Sequence, residues 1–299
     1  MKIHHAIQHL CGLLVLVGVA GAQPQRPTLP GIGSPPGFPG IESDEETDGS
    51  KLARPSLLAE RTALVVGEKN WIGVTFAISE GWHLYWENPG DSGGPIIFQF
   101  ESSDGVSIGE PHFPTPKRKL YAQDSVDYIY EREVTVLFPV RVDEGVSGAV
   151  TIGAEIDWLV CKDECLAGFA EVELTIPVTS NAGAAEAIER PQFARARERF
   201  PRRVEDPADA GLRYGWDEHT LRIEVADARR LIFFPAHSEK FVYPVQMAAN
   251  GVSSGNAISL PYNRYLDRAE RVGGILEVHR ENGVSYMALD VPTPYFGSR

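Results

Sequence analysis

The run from Trp71 to Ser79, WIGVTFAIS, limits the fold more than any other stretch of the chain. Trp71, Gly73, Thr75 and Ala77 fall on one side of it, and Ile72, Val74, Phe76 and Ile78 on the other. That period of two belongs to a β-strand and does not fit a helix, whose faces repeat every 3.6 residues. The turn GEKN precedes it. Further short runs, SLLAERTALVV, PIIFQFE, VTVLFPVRV, GAVTIGAEIDWLV and FAEVELTIPV, are separated by clusters of Gly, Pro, Asp and Ser. Strands at this spacing predict an antiparallel β-sandwich over residues 56–180.

Residues 181–210 break the alternation. NAGAAEAIER and PQFARARERF predict two helices in a connector, with Asn181 capping the first, Pro191 in the first turn of the second and Pro201 ending it. Glutamates, among them Glu189 and Glu198, are interspersed with the arginines of this segment, which favours a solvated helix face over an anion site. After Gly211 the strand pattern returns in LRIEVA, RLIFFPA, VQMAA, AISLPY and GGILEVHRENGVSYMALDVP. Residues 211–299 therefore read as a second, smaller β domain. Its last piece is a hairpin whose Asn-Gly pair favours a tight primed turn.

The chain begins with a basic start at Lys2, His4 and His5, then the apolar run LCGLLVLVGVAGA. This is the pattern of a secretory signal peptide over residues 1–22, cleaved after Ala22. The apolar run falls short of the roughly 20 residues that span a bilayer. Residues 23–55, rich first in Pro and Gly and then in acids, cannot bury enough surface to fold and read as a disordered linker. The mature chain is then exported, periplasmic or similarly placed, and soluble, with no membrane insertion. Net charge is −13 over the whole chain. It becomes −14 once the signal leaves, because Lys2 is the only charged residue in 1–22. Such an acidic chain argues against nucleic acid or anionic lipid as partners.

Cys11 leaves with the signal, so the mature thiols are Cys161 and Cys165 in WLVCKDECLAG. In an oxidising compartment a disulfide is their default state. Along a straight strand, four residues at about 3.3 Å each hold the α-carbons about 13 Å apart, beyond disulfide reach. Pairing therefore requires Lys162, Asp163 and Glu164 to curl into a turn or a single helical turn, at an accessible sheet rim beside Trp158. A loop this short gains roughly 2 kcal/mol from cross-linking, against nearly 5 for about a hundred residues. Lys162 favours a thiolate, while Asp163 and Glu164 oppose one. From the residues alone, redox exchange and a structural staple stay equally open. Metal is the weaker reading, because zinc needs three or four ligands and His83 or His112 could join only through the fold. No cofactor is called for. The favoured attacking sulfur is Cys161, which follows the ordered strand and adjoins Lys162.

The other unusual stretch is GWHLYWENPGDSGG, residues 81–94. Trp82, His83, Tyr85 and Trp86 crowd a strand end, and Asn88, Pro89, Gly90 and Asp91 form a turn. A core strand running into a turn explains it. So does an aromatic partner surface, or a cap over a reactive site.

Together, GWHLYWENPGDSGGP and EIDWLVCKDECLAG, in this order and some seventy residues apart, resemble the N-terminal periplasmic domain of the thiol:disulfide interchange protein DsbD. The resemblance is to its copper-sensitivity-suppressor branch, with FPTPKRK, DYIYEREVTVLFPV and the arginine-rich segment fitting too. It implies an immunoglobulin-like sandwich in which Cys161 and Cys165 shuttle between dithiol and disulfide. It also implies a membrane electron donor, periplasmic thioredoxin-like acceptors, and a setting in copper tolerance or cytochrome c biogenesis. The segment from Trp82 to Asp91 would be the shield or partner surface. The family's long members continue into a membrane domain and a thioredoxin domain, and this chain ends at Arg299 with neither. The rival reading is a non-catalytic binding sandwich with a structural disulfide and an aromatic contact loop.

Overall fold

The computed structural model describes residues 48–121, 125–204, 207–208, 210–217, 220–236, 251–261 and 271–293. The signal peptide, most of the linker and the strand expected at VQMAA lie outside the described residues. A one-turn helix, α1 (Gly49–Leu52), leads into the first set of strands: β1 (Ala53–Ala59), β2 (Leu64–Val65), β3 (Asn70–Ile78), β4 (His83–Gly90), β5 (Ile97–Ser102), β6 (Val106–Ile108), β7 (Lys117–Leu120), β8 (Val126–Glu131), β9 (Glu133–Val142), β10 (Gly148–Cys161) and β11 (Cys165–Thr179). They form one sheet in the order β1-β3-β9-β6 and a second in the order β2-β11-β10-β4-β8-β7, with β5 also on β10. Between the sheets lies a core that includes Val74, Phe76, Trp86, Tyr128, Phe138 and Trp158. This is a mainly β fold of the sandwich kind.

Alternation sends Ile72, Val74 and Phe76 into that core, all fully buried. The opposite face of β3 is not solvated, as simple alternation would have it. The helix α2 (Pro191–Glu198) covers it, with Phe193 and Ala196 buried against Leu137. Gly73 makes this contact possible, since a Cβ there would lie 2.9 Å from Leu137 and 3.0 Å from Phe193. Burying Phe193 is worth about 2–3 kcal/mol.

The first of the two expected connector helices does not form as an α-helix. Asn181 accepts from the Gly183 N–H and caps only a 3-10 turn, Ala182–Ala184. The chain then bridges Ala187 to Arg61 as extended backbone. Ile188 N–H also donates to the Glu60 carbonyl, so sheet-like pairing displaces the helix that the Ala and Glu content favoured.

The second set comprises β12 (Arg202–Arg203), β13 (Leu212–Asp217), β14 (Thr220–Val225), β15 (Arg230–Pro235), β16 (Ala257–Pro261), β17 (Arg271–Arg280) and β18 (Gly283–Pro292). Its sheets run β12-β18-β17-β15 and β13-β14-β16 around a core that includes Leu221, Ile223, Phe233 and Leu276. β17 and β18 form the expected hairpin, closing at Arg280 opposite Gly283. The turn is not the primed type, because neither Glu281 nor Asn282 has a positive φ; Gly283 carries it, at 136°. The two sets share packing. Ile232, Phe234 and Ile275 belong to the sandwich core, and Asn88 Nδ2 donates to the Pro235 carbonyl at 2.7 Å.

Candidate functional site

β10 and β11 pair in unbroken antiparallel register from Gly148 opposite Val178 to Cys161 opposite Cys165. The three residues left over, Lys162, Asp163 and Glu164, make the hairpin turn, with Lys162 N–H donating to the Glu164 carbonyl at 3.0 Å. The two cysteines are thus cross-strand neighbours with α-carbons 4.1 Å apart, joined by a disulfide. They differ sharply in access. Cys161 is 3% exposed, whereas Cys165 is an exposed residue. Cys165 is the member of the pair that solvent reaches.

The pleat decides what surrounds them. On β10 the odd-numbered residues face outward with Cys161, and Trp158 and Val160 face the core. On β4, which meets β10 at His83 opposite Cys161, the outward residues are His83 and Tyr85. Tyr85, Ile129 and Cys161 pack as one small buried cluster with Leu159 at its edge. The Tyr85 hydroxyl reaches Cys165 Sγ at 3.9 Å and His83 Nε2 at 3.3 Å. A chain of imidazole, phenol and sulfur therefore runs from the interior to the exposed cysteine.

A short loop covers this chain. Gly93 lies so close to the Tyr85 ring that a Cβ there would come within 2.1 Å of it, and its φ of +67° also favours glycine. Gly94 lies against Leu159. Two carboxylates hold the loop down. Asp91 Oδ2 accepts from Val126 N–H at 2.6 Å. The fully buried Asp127 accepts from Ser92 N–H at 3.0 Å and from Ser92 Oγ at 2.5 Å.

Burial sets the electrostatics. It is the main force holding the His83 imidazole down to about 4, aided by the Lys119 ammonium and opposed by Asp127 and Glu131. His83 is therefore neutral near pH 7. Burial likewise pushes the Tyr85 phenol up to about 12, so it remains a hydrogen-bond donor. Among the described residues no group of three or more His, Cys, Asp or Glu side chains is placed to hold a metal. No described helix is long and apolar enough to cross a membrane.

The structure divides the residues singled out in the sequence. His83 and Tyr85 stand beside the disulfide, and Lys162, Asp163 and Glu164 form its exposed turn. Trp158 and Trp86 lie in the core, where Trp158 meets Phe76 edge-on and Trp86 meets Phe234. Trp82 is half-buried against the same core. Asn88 ties β4 to the second set of strands, Pro89 is half-buried beside it, and Asp91 anchors the covering loop. Sequence reasoning passed over Ser92, Gly93, Gly94, Asp127 and Lys119. The signal available was the Gly-Gly pair after the turn, which marks a close approach of backbone to another group.

The family described as "Thiol:disulfide interchange protein DsbD, N-terminal" matches residues 54–177, the whole stretch that builds the hairpin, its disulfide and the covering loop. This segment is similar to the DsbD N-terminal family. The N-terminal periplasmic domain of ScsB from Proteus mirabilis shares the fold at 14% identity and a TM-score of 0.51, over 81% of this chain and 92% of that one. The DsbD N-terminal domain from Neisseria meningitidis, solved in the reduced form, aligns at 17% identity and a TM-score of 0.28 over 43% of this chain and 87% of that one. No curated protein matches the chain significantly. The sandwich is of the immunoglobulin-like kind, followed by a short helical segment and a second, smaller β portion.

Proposed function

We propose that the chain is an exported thiol:disulfide exchange protein whose working group is the Cys161–Cys165 pair. The observation that carries this reading is the asymmetry of the pair: Cys165 is an exposed residue at a hairpin tip, and Cys161 is buried against Tyr85 and Ile129. A partner thiolate attacks Cys165 Sγ, and the S–S bond breaks with its electron pair leaving on Cys161, which takes up a proton. A second partner thiolate then attacks the partner's own sulfur in the mixed disulfide and releases Cys165. Two electrons and two protons have passed to this chain, and the same steps reversed pass them on. In this reading Cys165 replaces Cys161 as the sulfur that meets partners, because access outweighs the neighbouring Lys162.

The partners are thioredoxin-like proteins and a membrane-borne electron donor, a reading supported by the family match over residues 54–177. Residues 56–180 carry the exchange chemistry, residues 181–210 connect, and residues 211–299 form the second β domain. Neutral His83 and the Tyr85 hydroxyl support the exposed sulfur, and the loop from Asp91 to Gly94 restricts access to the buried one. The test uses single-cysteine variants of the full mature chain. Cys161→Ser is expected to trap mixed disulfides with envelope thiol proteins through Cys165, and Cys165→Ser to trap few. A reduction potential below about −300 mV would instead mark a structural staple and end the exchange reading.

A further inference from the structure

The outward face of β5, β10 and β11 continues from the disulfide as an open sheet surface. Next along it come Leu159 opposite Ala167 and then Asp157, flanked by Phe169 on β11 and Ile97 on β5. Phe169 is 47% exposed and Ile97 53% exposed. Beyond them the face turns acidic. Every carboxylate of the three strands points this way: Glu101, Glu155, Asp157, Glu171 and Glu173. The three strands contain no Lys, Arg or His at all. Among the described residues, none of the five carboxylates has an ion-pair partner.

Two features of this face work against the fold. Glu155 stands directly opposite Glu171, and like charges in that position destabilise a sheet. Gly153 interrupts the middle of a long strand, where glycine loses conformational entropy and packs nothing. No crowding demands it, since a Cβ at Gly153 would meet nothing nearer than 4.0 Å. It lies in a concavity of about 360 Å³ walled by Glu101, Glu155, Glu171 and Glu173. A glycine that the fold does not need, set among unpaired carboxylates, is understandable where another chain's cation comes to rest.

We infer that the face from Phe169 to Glu173 is where the exchange partner docks, and that this partner presents lysine or arginine side chains about 20 Å from its reacting cysteine. The distance follows from six residues of strand between Cys161 and Glu155 at about 3.3 Å each. An interface of ordinary size, about 800 Å² per partner, extends that far. The apolar pair supplies the contact nearest the sulfur, and the glutamates steer and orient the approach. Charge excludes two other occupants. The linker ahead of α1 carries Glu42, Asp44, Glu45, Glu46 and Asp48, of the same sign as the face. A second copy meeting it face to face would bring the same charge.

The inference rests on the exchange reading, and its test separates the two. Two synthetic peptides, each with one cysteine and with three arginines or three glutamines six to eight residues away, reduce the full mature chain. Rates are expressed relative to reduction by dithiothreitol, which is uncharged and too small to read the face. At about 0.01 M salt the arginine peptide is expected to be roughly ten-fold faster than the glutamine peptide, and the ratio should fall towards one at about 0.5 M. The ratio should also collapse in Glu155→Gln/Glu171→Gln/Glu173→Gln, and in Gly153→Val, which narrows the concavity without altering charge. Equal rates for the two peptides on the unmodified chain overturn the inference and leave exchange standing. So does a preference that survives the triple variant. Low-salt dimerisation that the triple variant abolishes assigns the face to a second copy, and overturns it as well. If dithiothreitol leaves the bond intact in the folded chain, the exchange reading fails and this inference falls with it.

Discussion

The Tyr85 hydroxyl lies between a neutral imidazole and the exposed sulfur, which makes it the side chain most able to tune exchange. In the reduced chain it can donate to a Cys165 thiolate, and a hydrogen bond to the charged form lowers a pKa. Tyr85→Phe is therefore expected to slow alkylation of Cys165 in the reduced, folded chain at neutral pH, with the rate in the unfolded chain unchanged. An unchanged folded-state rate would leave Tyr85 only a packing role. His83 gives a stability prediction with a definite sign. Its folded pKa of about 4 lies below the ordinary imidazole value of 6.5, so the unfolded chain binds the extra proton between those values. Stability is then lost as pH falls through that window, by at most about 3 kcal/mol. In His83→Gln the slope of urea-unfolding stability between about pH 6.5 and 4 should flatten by that amount. The motif GWHLYWENPG was legible in sequence as an aromatic strand end. Which of its aromatics serve the sulfur was not, because the pleat sends His83 and Tyr85 outward while Trp86 and Asn88 turn in, and only the pairing partners fix which face is which.

At the scale of the element, the hairpin holds the cysteines rather than the reverse. The β10–β11 register runs continuously to the turn, and the loop that the disulfide closes is short. Breaking the bond should therefore cost only about 2 kcal/mol. Gly168 matters at least as much: a Cβ there would lie 2.3 Å from the Trp158 ring. Overpacking of this kind costs about 1–3 kcal/mol. Urea unfolding is expected to show Gly168→Ala at least as destabilised as Cys161→Ser/Cys165→Ser, with the double serine variant still folded. A double variant that fails to fold would show the staple to be essential. These strands were legible because each keeps strict alternation over a dozen residues. The helix expected from Asn181 was misread because its Ala and Glu content records only intrinsic propensity. The pairing of Ala187 with Arg61, across more than a hundred residues of sequence, outweighs it.

For the whole molecule, alternation again gives the strands but not their allegiance. RLIFFPA reads as a buried strand, and β15 is one, yet its two faces enter different cores: Phe233 joins the second set, and Ile232 and Phe234 join the sandwich. No local pattern distinguishes one hydrophobic destination from another, so the sequence alone shows two blocks of strands and hides the contact between them. That contact determines how the chain unfolds. Phe234 is 1% exposed and meets Tyr128 at 5.5 Å and Trp86 at 6.4 Å between ring centroids. Losing the second set would expose these rings, along with Asn88 deprived of its Pro235 carbonyl. Both sets should therefore melt together, in one calorimetric transition whose van't Hoff and calorimetric enthalpies agree. Phe234→Ala should remove about 3–5 kcal/mol and, by loosening the shared wall, split that transition in two. Two resolved transitions in the unmodified chain would show the wall to be too weak to couple the sets. The disulfide would then depend on the sandwich alone.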